Sequence, residues 1–133
     1  MAKIRVLLAD DSPEFVKMMS KFFVPALEID LVGVAATGPD ALKLAAELRP
    51  DLILMDLVMP DLNGLEATRQ IKTMPGAPIV VMLTSHESPE YRSEAANAGA
   101  DGFVSKPEIV GELLPLMRRL TTFITERNEN DDH

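Results

Sequence analysis

The sequence predicts a doubly wound α/β domain, with a five-stranded parallel sheet and helices on both faces. Short apolar runs and helix-period segments alternate five times along the chain, and parallel strands need crossover connections of that kind. The runs are apolar almost without interruption, as strands covered on both faces must be. A length of 133 residues suits one domain. A hydrophobic content of 47% excludes a disordered chain.

Ile4-Arg5-Val6-Leu7-Leu8-Ala9 reads as a buried strand stopped by Asp10-Asp11. Ser12-Pro13 supplies an N-cap hydroxyl and a proline for the first helical position. That helix runs through Phe15, Met18, Met19, Phe22 and Phe23 and ends near Pro25-Leu27. Leu31–Ala35 is a weaker second strand. Thr37-Gly38-Pro39 opens a second helix, which stops before Pro50 because a residue preceding proline avoids helical geometry. Leu52–Met55 forms the third strand, closed by Asp56, and a loop ending in Asn63-Gly64 leads to the third helix. Ile79–Leu83 is the fourth and most apolar strand.

Ser88-Pro89 repeats the hydroxyl-then-proline start before a polar fourth helix, whose only inward stripe is Tyr91, Ala95 and Ala98. Phe103-Val104 is a short fifth strand ending at Ser105-Lys106-Pro107. The last helix, about Glu108 to Ile124, contains Pro115, which should kink or divide it. Residues 1–125 are expected to form the domain. Residues 126–133 carry no apolar residue and read as a disordered polar tail.

Composition excludes several functions. There is no Cys, so disulfides, thiolate metal sites and cysteine nucleophiles are absent. The two histidines, His86 and His133, are too few and too far apart for a histidine metal site. No apolar run approaches the roughly 20 residues of a membrane helix, and no cleavable signal pattern precedes Ile4. The expected setting is the cytoplasm, with no membrane partner. Thirteen Lys and Arg against 21 Asp and Glu leave a net charge of −8, which opposes direct nucleic-acid binding.

In open parallel sheets, ligands bind beyond the carboxyl ends of the strands. At those ends stand Asp10-Asp11, Asp56, Thr84-Ser85 and Lys106. Any one aspartate can simply end a strand or cap a helix, but their convergence on one rim points to a site. Two carboxylates about 4 Å apart repel by roughly 4 kcal/mol at an effective dielectric near 20. Such a cluster raises its own pKa values or binds a cation. Oxygen ligands with open positions suit Mg²⁺. With a lysine and a threonine hydroxyl alongside, one carboxylate can act as nucleophile toward a phosphoryl group.

Asp10-Asp11, Asp56 in "LILMDLVMPDLNGLEA", Thr84 in "VVMLTS" and Lys106 in "GADGFVSKP" together resemble the receiver domain of two-component response regulators, the CheY-like family. The likeness runs from about Ile4 to Leu120. It implies a (βα)5 flavodoxin-like fold with strand order 2-1-3-4-5. Asp56 would accept a phosphoryl group from a sensor histidine kinase or phosphotransfer protein. Asp11, Asp56 and the Val58 backbone carbonyl would ligate Mg²⁺, with Asp10 acting through water.

The resemblance further implies that Lys106 would pair with the phosphoryl oxygens, across a cis Lys106-Pro107 bond. Thr84 would swing toward the phosphoryl group, and Phe103 would turn inward behind it. Gly64 would permit the turn after the phosphorylation loop. The readout face would be the fourth helix, fifth strand and fifth helix, met by an unknown downstream protein.

Ser85, His86 and Val58 depart from common residues of the family and would modulate access and lifetime. Ser85 would narrow access, while Val58 and His86 flank the path of an attacking water; His86 reads as an exposed loop residue sooner than as a catalytic base. Val58 cannot position water, so slow self-dephosphorylation is expected. Phe15 is open between a contact for the donor and a core residue beside Met18 and Met19. The expected state is a monomer or a weak phosphorylation-dependent dimer, since Gly102 stands where the family's symmetric dimer often has an acid.

Other classes fit less well. Hydrolases with an aspartyl nucleophile usually carry a second acid two residues later, and here that residue is Val58. A flavin binder would need aromatic loops, and a phosphate-free scaffold would not need all five site residues. A receiver modifies itself rather than turning over a diffusible substrate. The polar tail favours a stand-alone receiver, with a piece of a longer regulator as the alternative.

Overall fold

Strands packed on both faces must be apolar at alternating and intervening positions alike, and the computed structural model of the chain shows both sets in use. Residues 3–85 and 88–131 are described, with side chains of the last helix described as far as Thr122. The elements are β1 (Ile4–Ala9), α1 (Pro13–Phe23), β2 (Ile29–Ala35), α2 (Gly38–Leu48), β3 (Leu52–Asp56), α3 (Gly64–Lys72), β4 (Ile79–Thr84), α4 (Pro89–Asn97), β5 (Gly102–Ser105) and α5 (Ile109–Asp131). A 3-10 turn, Lys106–Glu108, precedes α5. All pairings are parallel, and the order is β2-β1-β3-β4-β5, as expected.

Period-two alternation divides the core. Val6, Leu8, Leu52, Leu54, Val81, Leu83 and Val104 face Met19 and Phe23 of α1 and Ile109, Leu113 and Met117 of α5. Leu7, Ile53, Met55, Val80 and Met82 face the small residues Ala41 and Ala45 of α2, Ala67 of α3 and Ala95 of α4. Four helices start on a side-chain cap: the oxygens of Ser12, Thr37, Asn63 and Ser88 accept from Phe15, Asp40, Glu66 and Tyr91 N–H groups. Each strand therefore ends at a fixed place on one rim.

Several expectations change. β2 begins at Ile29, and its pairing with β1 shifts register between Val6 and Leu7. Pro115 does not divide α5, which is one continuous helix. Pro115 is exposed, and on the solvent side water can take the carbonyl that its ring frees. The helix also continues to Asp131, past the expected boundary at residue 125. Extending a nucleated helix is far easier than starting one, and Glu126, Arg127 and Glu129 are good helix formers. Residues 132 and 133 lie outside the described residues.

Lys106-Pro107 is not cis; no cis peptide occurs among the described residues. Pro107 sits instead at the start of the 3-10 turn, where its missing N–H has no partner to lose. Among the described residues no helix is long and apolar enough to cross a membrane.

Gly64 brings α3 against the end of β3. Its N–H donates to the Leu57 carbonyl over 2.9 Å, and an added Cβ would fall on the Asp56 carbonyl oxygen. Gly64 does not have positive φ, so close approach, and not turn freedom, requires glycine here. Gly64→Ala should lower stability by about 1–3 kcal/mol, the usual cost of overpacking, read as an earlier urea midpoint.

Candidate phosphoryl and metal site

β1, β3, β4 and β5 deliver their ends to a single cleft of about 350 Å³, lined by Asp10, Asp11, Asp56, Val58, Thr84, Ser85 and Lys106 among others. Asp56 is the last residue of β3, held by the Leu57 N–H bond to Leu83 O at 3.0 Å. Asp10 follows β1 and is 1% exposed, while Asp11 beside it is exposed. One carboxylate oxygen from each of these three aspartates lies within 4.8 Å of the others.

Lys106 enters from the end of β5. Its Nζ donates to Asp10 Oδ2 over 2.8 Å and lies 3.7 Å from Asp56 Oδ1. Asp10 Oδ1 accepts the Ser12 N–H at 2.8 Å, so both its oxygens are engaged. Burial is the largest influence on Asp56, followed by the charge of Asp10. Lys106 and a hydrogen bond from the Val58 backbone pull the other way, Asp11 adds to the upward push, and the carboxyl stands at about 6.

Three carboxylates against one ammonium leave two negative charges in the cleft. The donor set is all oxygen, and exposed Asp11 leaves one side accessible. That chemistry fits a hard divalent cation such as Mg²⁺. A cation there stabilises the ionised form of Asp56, the form that can act as nucleophile.

The other expected residues distribute as follows. Thr84 is 3% exposed at the end of β4 and lines the cleft. Phe103 pairs in register with Met82, and Ser105 with Thr84, so Phe103 and Thr84 share one face of the sheet. Phe103 is half-buried, with the Arg92 guanidinium 4.7 Å from its ring centroid. Val58, 73% exposed, and Ser85 stand at the mouth. His86 lies outside the described residues.

Sequence reasoning misreads one neighbour and leaves another open. Tyr91, expected to point inward with Ala95 and Ala98, is exposed and lines the cleft, while both alanines are buried. Periodicity gives no sign of this; the signal is topological, because α4 begins just beyond the strand end that carries Thr84. Phe15 packs partly against the α1–α5 core, and its ring centroid is 4.1 Å from Lys106 Nζ. Of its expected companions, Met19 is buried and Met18 is exposed.

A doubly wound parallel sheet with an acidic, lysine-containing cleft at its carboxyl rim defines an α/β domain whose site stands at the strand ends. The family model of the response regulator receiver domain matches residues 6–118, and the chain belongs to that family. It is 38% identical over 117 residues to the response regulator protein VraR of Staphylococcus saprophyticus, covering 87% of this chain and 56% of that protein. It is 40% identical over 125 residues to a protein-glutamate methylesterase/protein-glutamine glutaminase of Myxococcus xanthus, covering 86% of this chain and 36% of that one. The receiver domain of the Pseudomonas aeruginosa sensor histidine kinase PA1611, solved with magnesium coordinated in its active site cleft, superposes with a TM-score of 0.78. That structure is 28% identical, with 89% of this chain and 97% of that chain covered. The chain thus spans about half or less of the length of these curated relatives.

Replacing Asp56 by Asn tests the combined effect of burial and crowding. Its folded pKa of about 6 lies above its ordinary 3.8, so the folded state binds the extra proton and stability falls as pH rises through that window. Without divalent ions, Asp56→Asn should stabilise the fold at pH 7 by on the order of 2–3 kcal/mol. The gain should vanish as pH falls toward 4, read by denaturant unfolding across pH 4–8.

Proposed function

We propose that Asp56 accepts a phosphoryl group from the phosphohistidine of a sensor kinase or phosphotransfer protein, and that the modified state is read by a downstream protein. The observation that carries this is a carboxylate at a strand end whose pKa is raised first by burial and then by the Asp10 charge, and which Lys106 Nζ faces at 3.7 Å. An Asp56 oxygen attacks phosphorus in line. The P–N bond to the donor imidazole breaks, its electron pair returns to the ring nitrogen, and an acyl phosphate forms.

Lys106 pairs with the phosphoryl oxygens and Thr84 donates its hydroxyl to them. Asp11, Asp56 and the Val58 carbonyl would hold Mg²⁺, with Asp10 acting through water, and the ion would supply charge neutralisation at the phosphoryl oxygens. The acidic oxygen cluster and the magnesium in the PA1611 cleft support this assignment.

The output is a two-state switch. When Thr84 turns toward the phosphoryl group, the half-buried Phe103 on the same sheet face moves inward, altering the α4–β5–α5 surface. Phe103 has no hydroxyl to leave unpaired on burial. The domain acts in the cytoplasm through protein partners, without nucleic acid or membrane, as a monomer or a weak phosphorylation-dependent dimer. It modifies itself and turns over no diffusible substrate. Ser85, Val58 and His86 modulate lifetime.

Incubation with Mg²⁺ and a small acyl phosphate should add one phosphoryl group by intact mass, and Asp56→Asn should abolish the adduct. An adduct that persists in the variant, or none in the wild type, contradicts the assignment. Exposed Val58 offers the attacking water no hydrogen bond. Val58→Asn should shorten the phosphoryl half-life by about tenfold, a modest share of what a positioned polar group contributes.

A further inference from the structure

We infer that Phe15 is a positioning residue for Lys106, its ring holding the ammonium on the side toward Asp10 and Asp56. A lysine carries a compact charge on a flexible four-carbon stem, so its direction must be imposed from outside. Here Nζ meets Asp10 Oδ2 at 2.8 Å, Asp56 Oδ1 at 3.7 Å and the Phe15 ring centroid at 4.1 Å. The ring closes a third side that water would otherwise occupy, and its negative face attracts the cation.

Phe15 is itself fixed from the same cleft. Asp10 Oδ1 accepts the Ser12 N–H at 2.8 Å, and Ser12 Oγ accepts the Phe15 N–H at 3.2 Å. The ring then returns through Lys106 to Asp10, closing a circuit of four residues in contact. A leucine at position 15 can fill the space against the α1–α5 core, but it has no π face. The kinetic part of this inference rests on the proposed phosphoryl acceptance; the contact itself does not.

Two measurements test it. In proton NMR of the unmodified protein without metal, the Lys106 ε-methylene should be shifted upfield by the ring. The shift should disappear in Phe15→Leu and remain in Phe15→Tyr. With Mg²⁺ and a small acyl phosphate, Phe15→Leu should form adduct about fivefold more slowly, while Phe15→Tyr stays within about twofold of wild type.

An unshifted Lys106 in the wild type overturns the inference whatever the variants do. So does Phe15→Leu at the wild-type rate, or Phe15→Tyr as slow as Phe15→Leu, which would mark a packing role only. If the wild type forms no adduct at all, phosphoryl acceptance fails instead, and the NMR comparison still decides the contact.

Discussion

Three carboxylates with oxygens within 4.8 Å of one another, attached to strand ends that cannot separate, impose a repulsion that the rest of the site must answer. Lys106 answers part of it, at 2.8 Å from Asp10 and 3.7 Å from Asp56. Burial adds to what is left: the Asp56 carboxyl stands at about 6, raised first by desolvation and then by the Asp10 charge, which together outweigh the lysine. A cleft in that condition is complementary to a divalent cation and to a group, such as phosphoryl, that needs cations around it.

The sheet is what makes the repulsion unavoidable. All five strands run parallel, so every carboxyl end reaches the same rim. Both faces are packed, by α1 and α5 on one side and α2, α3 and α4 on the other, which positions the strand ends that carry the charge. Gly64 presses α3 onto the backbone of Asp56, and the Leu57 N–H bond to Leu83 O ties β3 to β4 just beyond Asp56. The Ser12 cap places α1 beside Asp10 and brings Phe15 beneath Lys106. Charge crowding here is a property of the scaffold.

Much of this is legible in the sequence, because strands buried on both faces must be apolar throughout and the acids that end them stand out against that background. Asp10, Asp11, Asp56, Thr84 and Lys106 were identifiable for that reason, and the structure brings all five to one cleft. The hydroxyl-proline pairs Ser12-Pro13 and Ser88-Pro89 locate helix starts correctly because capping is a local interaction. What depends on distant contacts is less visible. Tyr91 follows the spacing of an inward residue, yet it lies at the cleft mouth because of where α4 begins. The approach of Phe15 to Lys106 joins residues from opposite ends of the chain. Pro115 is tolerated inside α5, and the helix continues through polar residues, since local breaking tendencies yield to a helix already packed along one face.

The account therefore rests on the ionisation of one side chain, and a carbon-13 NMR titration of the Asp56 carboxyl tests it most directly. Without divalent ions Asp56 should titrate near 6, and saturating Mg²⁺ should move the midpoint well below the ordinary carboxylate value. An Asp56 that titrates at its ordinary 3.8 and ignores Mg²⁺ would show that the carboxylates are not crowded as described, and the site would lose its reason to bind a cation or a phosphoryl group.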